Sequence, residues 1–257
     1  MIDVNFDFTS DSPHYWDNFW TNNGGLGGGN CDPDSASKTM QKYHQELWSK
    51  QLPNGERMEL KCVDNGALEW GKFRFGSDSI IASFRYQKQR KLLEDVAYSV
   101  EDYHGFVEDF LHRSYTIGGE IIFPKHRNSI NQTRGTNPQI SDRFDLTLEC
   151  IRRYYLGEDS PLFPVLNSDK NFFGLFVDFK GFVDFFLLQD LVSEDYSRVK
   201  FWNDWNDFSD NPVPGTVYDY LQFLQNELYF AEARNERIQE FLANTSLKCS
   251  AKFLSVQ

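Results

Sequence analysis

Cysteine is scarce in this chain. Cys31, Cys62, Cys150 and Cys249 are spread across 257 residues without a CxxC. That excludes a disulfide framework and a cysteine-based zinc centre, and the thiols are expected to be reduced, as in the cytosol. No pair among His14, His44, His104, His112 and His126 has metal-ligand spacing, so no metal site is expected. GxSxG and Cys-His signatures are missing too, which leaves nucleophilic catalysis without sequence support. Positive charge is in deficit: 26 Lys and Arg face 38 Asp and Glu, for a net charge of −12 and a pI near 4.9. Such a field repels DNA, RNA and anionic lipid, so neither nucleic acid nor a membrane is an expected partner. The opening MIDVNFDFTSDSP has acids where a signal peptide carries a basic region, and a cytoplasmic location is expected. The longest apolar stretch, NFFGLFVDFKGFVDFFLLQDLV, is broken by Asp178, Lys180 and Asp184. Each would cost about 2.5–3.5 kcal/mol at a bilayer centre, so the stretch reads as a buried helix.

What is present is material for a core. Hydrophobic residues make up 40%, with 24 Phe, 12 Tyr and 6 Trp, too apolar and aromatic for a disordered chain. The length suits one domain over 1–257, or two lobes sharing a core, 1–123 mixed α/β and 124–257 mainly helical. Residues 3–8 alternate as a short strand, and 14–20 form an aromatic cover for the core. Ser35 or Ser37 caps a helix through Tyr43, Leu47 and Trp48. MELKCV and LEWGKFRF flank Asp64-Asn65-Gly66, a hairpin signal. Periodicity predicts helix over 87–115, EIIF as a buried strand, and helices from Asn137-Pro138 to about 155, over 172–192 and over 216–242. Strands lie early and helices late. The expected class is α+β, a small antiparallel β portion in the N-terminal half packed against a mainly helical C-terminal half.

The strings FGSDSI, GGEIIFP and ISDRFDLTLECIRRYY together resemble a family of uncharacterised bacterial proteins, over most of the chain. The resemblance implies a bacterial or phage origin and a single architecture. It brings no established activity, so no catalytic residue is carried over.

One segment stands out from the acidic background: residues 121–141 carry Lys125, Arg127 and Arg134 and no acid. Within it, Arg127, Asn131, Gln132 and Arg134 precede the expected helix start at Asn137. Guanidinium groups, side-chain amides and a helix N-terminus are the devices that hold phosphate or carboxylate. A polar surface loop is the bland alternative. On the helix wheel Asp142, Asp145, Glu149 and Arg152 form a solvated stripe, whereas Arg143 falls in the apolar arc and needs an anion, with Asp178 the expected internal partner. GGLGGG at 24–29 reads as a hinge or lid, since no Lys-Ser/Thr follows it.

The leading expectation is a protein that binds a phosphate-bearing, nucleotide-like small molecule. Arg127 and Arg134 would clamp it, Asn131 and Gln132 would orient it, and Arg143 would contact it directly or from behind. Were it an enzyme, His126 or Glu120 would move the proton in a group transfer or hydrolysis. The residues name no cofactor and leave oligomeric state open. The alternative is a non-enzymatic interaction protein of a defence or toxin–antitoxin system, engaging a basic protein partner through the acidic aromatic surface around Trp202 and Trp205. Nucleic-acid contact would need further cations, for which QKQRK is the candidate.

Overall fold

A computed structural model describes residues 2–21, 32–64, 66–81 and 90–254. Four antiparallel strands, β1 Lys61–Cys62, β2 Leu68–Trp70, β3 Phe73–Ser79 and β4 Glu120–Pro124, form one sheet in chain order. The Asp64-Asn65-Gly66 segment joins β1 to β2, with Gly66 at φ +68° and Asn65 outside the described residues. LEWGKFRF, expected as one arm of that hairpin, is two strands. Gly71, at φ +56°, turns the chain between Trp70 and Phe73, a left-handed conformation that glycine adopts at little cost. β3 and β4 pair from Phe75↔Pro124 to Ser79↔Glu120, and β4 is buried along its whole length.

Helices surround the sheet. Residues 3–8 are not a strand; they turn into a 3-10 segment, Phe8–Asp11, because the Asp7 carboxylate accepts the Thr9 N–H and draws the backbone into a cap. The aromatic cluster forms α1, Tyr15–Thr21, and a short α2, Pro33–Ala36, follows. Ser37 caps α3, Lys38–Trp48, accepting the Met40 N–H at 3.0 Å, and Met40, His44, Leu47 and Trp48 are its buried face. The helical signal at 87–115 resolves into α4, Arg90–Ser99, and α5, Tyr103–Ser114, with Asp102 capping the second. The Gly-rich run 24–29 lies outside the described residues, as do 87–89 of QKQRK.

The largest departures are in the C-terminal half. Asn137-Pro138 does not start a helix: α6, Ile130–Thr136, ends there, and after a turn α7 runs Phe144–Leu156. The Asn137 N–H bonds back to Thr133 and its side chain caps the Gln139 N–H, so the N-cap signature serves a turn. The expected long helix over 172–192 is several short pieces. After α8, Phe163–Ser168, come α9, Lys170–Phe173, and α10, Phe179–Phe186, flanked by 3-10 turns. Val177 at φ +71° and Leu187 at φ +57° mark the breaks, and Asp178 caps α10. These folds gather Phe172, Phe173, Phe176, Phe182, Phe185 and Phe186 into one cluster that meets Trp48 through Phe185 and Phe186, with neighbouring ring centroids 5.0–5.9 Å apart. Each such side chain contributes roughly 1.5–3 kcal/mol by burial. Buried residues of both halves belong to one core cluster. The last helix, α11, Val217–Leu254, packs on α5 and the 3-10 turn before β4. The architecture is α+β, and no helix among the described residues is long and apolar enough to cross a membrane.

Candidate functional site

The sequence-predicted residues separate into three places. Glu120, Asn131 and Arg134 converge on Ser77-Asp78-Ser79 of β3. Successive side chains of a strand point to opposite faces, so Ser77 and Ser79 share one face and Asp78 the other. On the serine face the Glu120 carboxyl accepts from Ser77 Oγ at 3.2 Å and Ser79 Oγ at 3.1 Å. Burial, the nearby Asp34 charge, a hydrogen bond with Asp34 and the charge of Asp32 push its pKa well above the usual carboxylate range, against the Ser79 bond. The environment therefore favours the protonated form of Glu120, with Asp34 as its hydrogen-bonding neighbour.

The same serine leads to a buried imidazole. His44 Nε2 lies 2.9 Å from Ser77 Oγ, and Trp48 Nε1 donates to His44 Nδ1 at 3.0 Å. An indole N–H only donates, so Nδ1 is the acceptor and the His44 proton sits on Nε2. Burial, then the neighbouring Arg234 charge, lower this histidine to about 3. The chain Trp48→His44→Ser77→Glu120 is thus neutral and runs one way. His44 donates to Ser77 rather than taking its proton, the reverse of what an activated serine needs.

On the Asp78 face Arg134 is fully buried. Its guanidinium donates to Asp78 Oδ2 at 2.7 Å, to the Ser79 carbonyl at 3.1 and 3.2 Å and to the Asp142 carbonyl at 2.7 Å, with Asp142 Oδ1 3.1 Å from Nε. It leaves no open edge for a ligand anion. The expected clamp is therefore a structural staple between β3 and the 137–143 turn. Asn131 Nδ2 approaches the Ser77 carbonyl at 3.5 Å, and Gln132 Oε1 accepts the Asn128 N–H at 3.1 Å, fixing a residue at φ +62°.

His126 and Arg127 lie at the surface. His126 Nδ1 is 2.9 Å from the Arg127 carbonyl and Nε2 is 2.9 Å from Asp169 Oδ1. The carbonyl bond, reduced by partial burial and aided by Asp169, raises its pKa. His126 and Glu120, proposed as alternative proton carriers, thus occupy a surface loop and the core respectively.

Arg143 is elsewhere again. Its partner is Asp145, not Asp178: Nε donates to Asp145 Oδ1 at 3.0 Å, a second bond joins the same carboxylate, and a third reaches the Pro212 carbonyl at 2.7 Å. Asp178 is spent capping Gly181. The stripe expected to be solvated includes Asp145, 0% exposed, and Glu149, 4% exposed and paired with Arg152 and Arg153. The reason is the irregular segment 199–215, which lies over this face of α7. Asp145 Oδ2 accepts the Trp202 N–H at 3.0 Å, and Gln139 Nε2 donates to the Phe208 carbonyl at 2.9 Å.

That segment and α11 enclose a cleft of about 660 Å³, whose walls include Trp202, Trp205, Asp204, Tyr218, Asp219 and Gln222. No lysine or arginine among the described residues lines it. Both tryptophans are buried, Trp202 against Phe223 and Phe230 and Trp205 against Phe201 and Phe208. Their Nε1 atoms and Asn203 Oδ1 are buried without a hydrogen-bond partner among the described residues. The sequence drew attention to Trp202 and Trp205 as an interaction surface. It did not bring Tyr218 and Gln222 to them, although the alternating aromatics, amides and acids of FWNDWNDF carried the signal. Among the described residues no three His, Cys, Asp or Glu are arranged to hold a metal ion.

Fold and site together define an acidic α+β protein with a buried polar junction under its sheet and a separate aromatic cleft. The chain belongs to a family of unknown function, DUF6994, whose model matches residues 2–238. No curated protein and no solved structure matches the chain.

Proposed function

We propose that the protein binds a neutral, polyhydroxylated small molecule of the carbohydrate kind in the Trp202–Trp205 cleft. The observation that carries this is the set of unpartnered groups in its walls, two buried indole N–H donors and the Asn203 Oδ1 acceptor. Buried polar groups without partners each cost roughly 1–3 kcal/mol, so a ligand offering both acceptors and donors gains by entering. Hydroxyl groups offer both. Aromatic faces with a few placed polar groups are the usual lining of a small-molecule site. With Asp204 and Asp219 in the walls and no lysine or arginine among the described residues there, the cleft disfavours phosphate. A cation would suit the acids but can accept nothing from the indoles.

Two other readings stay distinguishable. A basic protein partner is favoured by the acidic lining, and a surface phosphate contact by exposed Arg127 beside His126, whose protonated form Asp169 supports. Intrinsic fluorescence and thermal melting should be followed with maltotriose, chitotriose, a lysine-rich peptide and ATP in turn. One of the neutral sugars is expected to change tryptophan emission and raise Tm, and Tyr218→Ala, at a side chain 74% exposed, to remove the effect without lowering Tm. Salt-sensitive binding of the peptide alone would favour the basic partner. An ATP response lost in Arg127→Ala and kept in Tyr218→Ala would favour the loop. No response to either sugar would overturn the proposal.

A further inference from the structure

A second cleft, of about 460 Å³, opens between the end of α3 and α10, lined by Lys50, Pro53, Asp178, Lys180, Asp184 and Phe241 among others. Lys50 is its unusual member. The amine lies over three aromatic rings, 4.7 Å from the Trp48 centroid, 4.5 Å from Phe185 and 4.4 Å from Phe241. It donates to the Phe185 carbonyl at 2.6 Å, near the end of α10, and no ion pair joins it to a carboxylate among the described residues. The next carbonyl, Phe186, takes two bonds from the buried Arg234. One helix end thus holds a guanidinium on its buried side and an amine on its open side.

We propose that Lys50 is a nucleophilic amine that forms an imine with an aldehyde or ketone admitted to this cleft. The geometry supplies the two conditions that keep a lysine amine uncharged, an apolar enclosure and a neighbouring cation. Consistent with it, burial and then the Arg234 charge lower the Lys50 ammonium to about 7. The aromatic faces oppose that trend by favouring the cation, and the cleft is what admits a reactant to the free amine. In the reaction the Nζ lone pair forms a bond to the carbonyl carbon, and the carbonyl π pair goes to oxygen, which takes a proton. The resulting carbinolamine, whose nitrogen has already given up one proton, loses its hydroxyl as water while nitrogen gives up the other and makes the C=N bond. Solvent at the mouth of the cleft carries the proton from nitrogen to the departing hydroxyl. One amine and one carbonyl give one imine and one water, and no oxidant or reductant is needed.

The test uses the full chain and acetylacetone as the probe. Condensation with a lysine amine yields a vinylogous amide with its own ultraviolet band, and peptide mapping by mass spectrometry locates it. At neutral pH one adduct is expected per chain, on Lys50, forming on the order of a hundredfold faster than on exposed lysines because far more of the amine is unprotonated. Its rate should rise through a pH midpoint near 7. Lys50→Met should abolish the fast phase and Lys180→Ala should keep it. Mapping of the unmutated protein decides the matter even if Lys50→Met fails to fold. Adducts distributed over surface lysines in order of exposure, or a Lys50 that stays unmodified until alkaline pH, would overturn the proposal.

Discussion

Replacing Asp145 by Asn tests the assignment of Arg143 most directly. In the folded protein the pair is sealed, Arg143 at 2% and Asp145 at 0% exposure, and Asp145 also accepts the Trp202 N–H. An Asn at this position is neutral and leaves the guanidinium in the interior with only the Pro212 carbonyl as a firm acceptor. Breaking a buried pair from one side costs about 3–5 kcal/mol. For a chain of this length each kcal/mol shifts Tm by roughly 2–4 °C, so a drop of roughly 6–20 °C is expected in a thermal melt. Removing both charges in Arg143→Met/Asp145→Leu should recover most of the loss, since apolar replacements of similar volume avoid the desolvation of two ions. The double-mutant cycle should then return a coupling of at least about 2 kcal/mol. Asp178→Asn is the control. Asparagine caps helices as well as aspartate does, so its effect should stay within about 0.5 kcal/mol. The reasoning fails if Asp145→Asn costs under about 1 kcal/mol, or if Asp178→Asn couples to Arg143.

Two further outcomes concern the core. Glu120 has a folded pKa raised above its unfolded value, so the stability linked to its proton is complete below about 4.5 and is lost as pH rises from there through the folded value. Glu120→Gln stays neutral, and its Tm relative to the unmutated protein should improve as pH rises above about 4.5; a constant difference would refute the upward shift. Gly118→Ala would drive a methyl group into the Ala231 carbonyl and the Asn235 side chain, whose Oδ1 accepts the Gly118 N–H at 2.7 Å. A loss of about 1–3 kcal/mol in urea unfolding is expected, against little change for Gly174→Ala, where the added methyl meets nothing within 4 Å.

The elements that sequence reading located well are those whose own side chains settle the matter. Ser37 caps α3, the buried positions of α3 recur at helical spacing, and EIIF is buried on every residue, as a covered strand should be. It went astray where a distant segment decides. On a helical wheel Asp145 and Glu149 point to water, yet the 199–215 segment, some fifty residues later and without regular structure, covers that face. Periodicity carries no information about such a cover. The continuous apolar signal over 172–192 concealed breaks at Val177 and Leu187, neither of them a glycine, where tertiary packing imposes a left-handed backbone. The Trp202–Trp205 cleft was half legible. Its tryptophans stood out by composition, but Tyr218 and Gln222 reach it only because α11 lies alongside.

The acid-free island 121–141 takes a different meaning from the structure. Its buried cation, Arg134, joins two others, Arg143 and Arg234, in binding carbonyls where the chain leaves regular structure: Ser79 and Asp142, Pro212, and Gly118, Glu120 and Phe186. Arginine suits this work because its five donors lie in one rigid plane and it is less strongly hydrated than an ammonium. A lysine in place of Arg234, with three donors for four carbonyls, would leave one unbonded. The excess of acids is compatible with this arrangement: Asp78, Asp142 and Asp145 are drawn inward to neutralise two of the guanidinium groups, while Arg234 is held mainly by carbonyls and its pKa falls to about 9 under the cost of burial. Scarce positive charge is thus used in the interior to pin loops and helix ends. Lys50 departs from this pattern, its amine lying over three aromatic rings with the Phe185 carbonyl as acceptor and no ion pair to a carboxylate among the described residues.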